Sequence, residues 1–209
     1  LNSLAELYRN QGRYAEAEHL YKRSLTIREK TLGPEHPNTA TSLNNLAGLH
    51  LNRGRHWEAE PFFKRSLAIL ERALGPEHPN TAASLNNLAE LYRYQGRYAE
   101  AETLYKRSLA IREKILGSEH PDTAISLHHL AGVYVDQGRY AEAELLYMRS
   151  LAILEKTLGP EHPNTATSLN NVADLYVKQG RYAEAEPLYK RSLVIRVKAL
   201  GAEHPDTAI

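Results

Sequence analysis

No cysteine occurs among the 209 residues, which removes disulfides, thiolate metal sites and thiol nucleophiles together. No run approaches the ~18 uninterrupted apolar residues that a membrane-spanning helix needs. One-sided charge is missing too. The 26 basic and 25 acidic side chains leave a net charge of +1, so no global attraction to nucleic acid or anionic lipid is expected. Neither an Asn-x-Ser/Thr sequon nor an H-E-x-x-H, G-x-S-x-G, phosphate-loop or dinucleotide fingerprint is found. Catalysis and resident cofactors are therefore not expected. The lack of cysteine and sequons points to the cytoplasm, although Leu1 in place of Met hides any upstream targeting segment. Period-two alternation and β-branched runs are sparse, which argues against strands.

What the chain has in abundance is itself. Gly33, Gly75, Gly117, Gly159 and Gly201 recur every 42 residues, each followed two residues later by Glu-His-Pro. Gly12, Gly54, Gly96, Gly138 and Gly180 keep the same interval. A fixed period of this size means a stacked array in which each unit contacts mainly its neighbours. The period divides the chain into a partial unit 1–37, units 38–79, 80–121, 122–163 and 164–205, and residues 206–209 as the start of a further helix. Together they are expected to form one continuous domain.

Each unit reads as two helices. Leu43, Leu46, Ala47 and His50 follow the i, i+3, i+4, i+7 spacing of one helix face, as do Leu1, Leu4, Ala5 and Tyr8. Asn38 and Thr39, after Pro37, are the expected N-caps, and Gly54 the expected stop. A second helix is expected from about Trp57 to Leu74, with Ala59, Phe62, Phe63, Ser66, Leu67 and Leu74 largely on one face. Its acids precede its bases, which suits the helix dipole, and Glu60 stands four residues before Lys64. Gly75 and Pro76 end it.

Leu1, Leu4, Ala5, Tyr8, Ala17 and Tyr21 match the phases of the W-x₂-L-G-x₂-Y … A-x₃-F pattern. With Ser84-Leu85-Asn86-Asn87-Leu88-Ala89, Tyr105-Lys106-Arg107-Ser108-Leu109 and Leu116-Gly117-Ser118-Glu119-His120-Pro121, they make the whole chain resemble tetratricopeptide (TPR) repeats. The resemblance is to the 42-residue kind found in kinesin light chains, and extends to bacterial arrays joined to a separate effector domain. Leucine stands for the family's tryptophan and His50 for its usual tyrosine. The helix-ending proline of the shorter repeats is absent at Glu29, consistent with a longer helix. The resemblance implies an all-α, right-handed superhelical solenoid of antiparallel helix pairs whose first helices line a concave groove.

Comparing copies separates scaffold from surface. Ala17, Ala59, Ala101, Ala143 and Ala185 never vary, nor do Ser24, Ser66, Ser108, Ser150 and Ser192, so these small residues read as close-packing positions. The phase of Glu6, Gly48, Glu90, Gly132 and Asp174 varies, as does that of Arg9, Leu51, Arg93, Val135 and Val177. Copies one and three carry Arg28 and Arg112 where copies two and four carry Leu70 and Leu154, suggesting alternating polar and smoother patches along the groove.

On the stripe that the family uses as its groove lie Asn2, Asn44, Asn86 and Asn170, with Asn45, Asn87 and Asn171 at its margin. An amide offers two donors and an acceptor, so such a ladder can pair with a peptide backbone, as groove asparagines do in the family. Arg9 and Arg93 are candidate carboxylate partners, although Glu6 and Glu90 stand three residues away and can neutralise them. His128 and His129 replace the asparagine pair in the fourth copy. As adjacent helical residues they diverge too far to chelate a metal, and a polar groove contact is expected. His36, His78, His120, His162 and His204 sit in the inter-unit turns, where a turn and capping role is expected.

The functional expectation is a non-catalytic scaffold that holds an extended peptide or partner helix, without nucleic acid, membrane, metal or cofactor. A structural spacer, a head-to-tail self-assembling module, and the regulatory arm of a larger protein are the alternatives. A chain that begins and ends within first helices is expected either to be an excerpt from a longer array or to stack head-to-tail between molecules.

Overall fold

The computed structural model describes residues 1–201, His204 and Thr207. The proposed helix start at 206–209 falls, apart from Thr207, outside the described residues. Among the described residues ten helices follow one another: α1 (Asn2–Asn10), α2 (Tyr14–Leu32), α3 (Pro37–Asn52), α4 (His56–Leu74), α5 (Pro79–Tyr94), α6 (Tyr98–Leu116), α7 (Pro121–Asp136), α8 (Tyr140–Thr157), α9 (Pro163–Lys178) and α10 (Tyr182–Leu200). By their contacts, residues 1–111 form one compact unit and residues 112–209 another.

In the first unit, α1 packs on α2, α2 on α3, α3 on α4, and α4 on α5, while α3 also touches α5. Its core joins Ala5, Ala17, Tyr21, Leu46 and Leu49, then Ala40, Leu43, Ile69 and Leu70, then Ala82, Leu85 and Ile111. Leu25 of α2 packs against the clusters that hold Leu43 and Leu46. Leu1 and Leu4, at the same phases but with no earlier helix against them, are 48% and 43% exposed. In the second unit α7 packs on α8, α8 on α9, and α9 on α10. Buried Leu127, Leu130, Leu151, Leu154, Leu169 and Val172 occupy the corresponding phases.

The joints are specified residue by residue. Gly75 ends α4 at φ +97°, a conformation that a side chain resists. Its carbonyl accepts from Thr81 Oγ1 at 2.8 Å, and the Gly159 carbonyl accepts likewise from Thr165 at 2.9 Å. The N-caps differ from the sequence expectation. His36, His78, His120 and His162 are the caps, each Nδ1 accepting at 3.1 Å from the backbone N–H two residues on. Asn38 and Thr39 fall inside the helix because Pro37 takes its first position, where a missing N–H costs nothing. The cap must therefore precede the proline. The expected turn and capping role of these histidines is what the geometry assigns to them.

The invariant serines do more than leave room. Ser66 Oγ donates to the Ala40 carbonyl at 2.8 Å and Ser108 Oγ to that of Ala82 at 2.8 Å. In the second unit Ser150 reaches Ala124 at 2.9 Å and Ser192 reaches Ala166 at 2.8 Å. The second helices α4, α6, α8 and α10 are thus each tied to the first helix of their own pair.

Candidate functional site

The side of each first helix turned away from its buried seam is the candidate surface. On α3, Leu43, Leu46, Ala47 and His50 are buried, Asn44, Asn45, Gly48 and Leu51 half-buried, and Thr41 and Asn52 exposed. The same phases on α5 hold Asn87, Glu90 and Arg93 half-buried, and Asn86 at 7% exposure. Asn2 on α1 is half-buried in register with Asn44 and Asn86. Asn2 and Asn44 share a property that Thr39 and Ser66 lack: their Oδ1 atoms are buried without a hydrogen-bond partner.

The charged candidates behave differently. Arg9 Nη2 donates to Glu6 Oε1 at 2.9 Å, so the two charges on α1 satisfy each other. Asp174 on α9 accepts a hydrogen bond from the Tyr189 hydroxyl. Burial, then that bond and the charge of Asp174, push the Tyr189 phenol up to about 12. Asn170, Asp174, Tyr189 and Arg196 line one cleft of about 410 Å³ between α9 and α10.

A second cleft lies in the same unit, among α7, α8 and α9. About 210 Å³ in volume, it is lined by Ala124, Ile125, His128, Leu154, Ser168 and Asn171, among others. His128 and Asn171 come together here, with Asn171 Nδ2 at 3.3 Å from His128 Nδ1 and donating to Thr167 O at 2.9 Å. His128 also lies against the Tyr147 ring at 5.3 Å and edge-on to His129 at 5.6 Å.

The structure therefore brings the candidates together in local sets. Asn2, Asn44 and Asn86 share a register in the first unit. His128, His129 and Asn171 gather at one cleft of the second unit, and Asn170 and Asp174 at the other. The sequence pattern does not single out Ser84 and Ser168. Their hydroxyls are buried and unpaired, and the only hint was the Arg/Leu alternation at 28, 70, 112 and 154. Arg28 and Arg112 themselves turn inward onto Ser42 and Ser126 rather than dressing an open surface.

Around these surfaces a charged frame repeats. Arg97 lies 3.8 Å over the Tyr92 ring while its Nη1 meets both oxygens of Glu60 at 3.0 Å. Arg181 does the same over Tyr176 at 3.9 Å, with Glu144 at 2.6 Å. His50 breaks the pattern in α3 by stacking on Phe62 at 5.7 Å.

Ten helices in repeating pairs, joined by glycine stops and histidine caps, define a helical-repeat protein. The family model described as "Tetratricopeptide repeat" matches residues 1–72, 53–114, 83–156, 122–196 and 165–209, and the chain belongs to that family. Its fold class is the all-α TPR solenoid of helix pairs, and its relatives are kinesin light chain-like. A solved structure of a putative kinesin light chain with nearly identical TPR-like repeats, from Podosopora anserina, is 35% identical over 95% of this chain and 94% of that one, at a TM-score of 0.78. BtubC (BKLC) from P. vanneervenii is 25% identical over 97% of this chain and 80% of that one, at a TM-score of 0.80. MamA, at 17% identity over 93% of this chain and 95% of that one, with a TM-score of 0.60, shares the fold. A comparison with curated protein sequences finds no match. TPR repeats are typically non-enzymatic scaffolds that bind protein partners.

Proposed function

We propose that the chain is a non-catalytic protein-interaction scaffold that holds an extended peptide along the amide-bearing side of its first helices. The observation that carries this reading is the pair of unpaired, buried Oδ1 atoms of Asn2 and Asn44 on half-exposed side chains. An unmet buried acceptor costs about 1–3 kcal/mol. A half-turn of the amide carries that oxygen to the half-exposed side, where a peptide N–H can meet it whatever the peptide's side chains. Asn86 and Asn87 continue the register on α5, and Asn170 and Asn171 repeat it on α9. Because Glu6 already occupies Arg9, backbone pairing rather than a charge on α1 holds the peptide at that helix.

The test is selection of binders from a random peptide library, followed by titration of a selected peptide into the full chain. Saturable binding that weakens about tenfold or more in Asn44→Ala plus Asn86→Ala, two lost hydrogen bonds, supports the reading. Undiminished binding to that variant contradicts it. The self-assembling alternative gives a mass that rises with concentration in light scattering and no selected peptide.

A further inference from the structure

In two copies the chain fills one position with its own guanidinium. Arg28 Nη1 donates to the Asn38 carbonyl at 2.6 Å and to Ser42 Oγ at 3.1 Å. Arg112 Nη1 donates to the Asp122 carbonyl at 2.9 Å and to Ser126 Oγ at 2.9 Å. One repeat after each arginine stands a leucine, Leu70 and Leu154, which has nothing to donate. The matching serines are the two whose hydroxyls are left over. Ser84 and Ser168 are 0% and 3% exposed, and neither Oγ has a hydrogen-bond partner.

Beside Ser168 the missing side chain corresponds to open volume, the cleft of about 210 Å³ that Leu154, Ser168, His128 and Asn171 help to line. None of its lining residues is a lysine or arginine. Leu154, Ala124 and Ile125 supply apolar surface of the kind on which the methylene stem of an arginine lies. The Ser168 hydroxyl is an acceptor in the register that Ser126 fills for Arg112.

We propose that this cleft is a subsite for an arginine side chain supplied by a bound peptide, which completes in trans the contact that Arg28 and Arg112 make in cis. The inference rests on the peptide-scaffold reading and names one residue of the ligand. A guanidinium suits the place because it is more weakly hydrated than an ammonium, and its rigid fork presents several N–H donors at once. Lysine brings a compact, strongly hydrated charge and fits less well.

The test uses the full chain in solution, followed by amide NMR, with N-acetyl-arginine methylamide as the probe. The lysine and leucine analogues serve as comparators. The arginine compound is expected to shift the amides of residues 164–171 saturably. The lysine compound should bind about tenfold more weakly and the leucine compound should leave those amides in place. Leu154→Arg puts a guanidinium there in cis and should abolish the response. Ser168→Ala removes a hydroxyl that bonds to nothing in the free protein, so the fold survives, and it should weaken the arginine compound about tenfold. Equal response to the arginine and leucine compounds, or a response that persists in Leu154→Arg, overturns the proposal. The two readings fail separately. Selected peptides that depend on Asn44 and Asn86 while the arginine compound leaves residues 164–171 unmoved overturn the subsite alone. An arginine response with peptide binding indifferent to Asn44 and Asn86 upholds the subsite and overturns the amide ladder.

Discussion

Both carboxylate oxygens of Glu60, in α4, lie 3.0 Å from Arg97 Nη1, in the turn between α5 and α6. Lys64 Nζ approaches the same carboxylate at 2.6 Å and Gln95 Nε2 at 3.1 Å. Burial works against ionisation of Glu60, but the donors Lys64, Gln95 and Arg97 outweigh it and lower its pKa to about 2. Arg97 is held in turn by the Tyr92 face and by Glu100. This one acid thus links two successive helix pairs.

Glu60→Gln should destabilise the protein by about 1–2 kcal/mol, near the lower end for charge-assisted hydrogen bonds because the joint is partly wet. The wild-type contribution has a defined pH window. A folded-state pKa near 2 against an ordinary value of 4.5 means stability that is complete above the unfolded value and is lost as pH falls toward about 2. Urea melts of both proteins between neutral and strongly acidic pH should converge at the acidic end.

His50 supplies a second pH dependence. Burial lowers its pKa against Glu18 and Glu58, which raise it, while Arg55 and Lys22 lower it further. Its Nδ1 stands 3.3 Å from Glu58 Oε2 but is not aligned with it as a hydrogen bond. A buried neutral imidazole that resists protonation costs stability as pH drops below its ordinary value of 6.5. His50→Tyr restores the residue found at Tyr8, Tyr92, Tyr134 and Tyr176. The pH dependence of the melting temperature around that value should flatten in the variant.

Two serine-to-alanine changes should have different consequences although both sites are buried. Ser66→Ala deletes the 2.8 Å bond to the Ala40 carbonyl and should cost about 1–2 kcal/mol. Ser84→Ala deletes a hydroxyl without a partner and should be neutral or stabilising. Paired denaturant titrations decide between them, and equal losses would contradict the hydrogen-bond assignment.

The histidine caps predict a graded series at one position. His78→Ala should cost about 0.5–2 kcal/mol, whereas His78→Asn, a strong capping residue, should lose little. Thermal melts measure both. An alanine variant as stable as wild type would mean that the Asn80 N–H does not depend on His78 Nδ1.

Much of this was legible in the sequence because the repeat repeats its physics. Leu43, Leu46, Ala47 and His50 mark the buried seam through spacing alone, and the glycines mark the stops. The caps were displaced by two residues because Asn38 looks like a better cap than His36 until Pro37 is seen to occupy the first helical position. Ser66 looked like a space-saving residue since its partner, the Ala40 carbonyl, belongs to another helix and leaves no trace in a side-chain pattern. The alternation of Arg28, Leu70, Arg112 and Leu154 was visible, but its direction was not. Only coordinates distinguish an arginine that lines a surface from one that reaches Ser126. The paired state of Arg9 was foreseeable from Glu6 three residues earlier, whereas the unpaired Oδ1 of Asn44 was not.

The most direct measurement of the central claim is amide hydrogen exchange of the full chain with and without a library-selected peptide. Peptide held on the amide-bearing side should slow exchange in α3 (37–52) and α5 (79–94) and leave the second helix α4 (56–74) unchanged. Protection confined to α4, with α3 and α5 unaffected, would contradict the account.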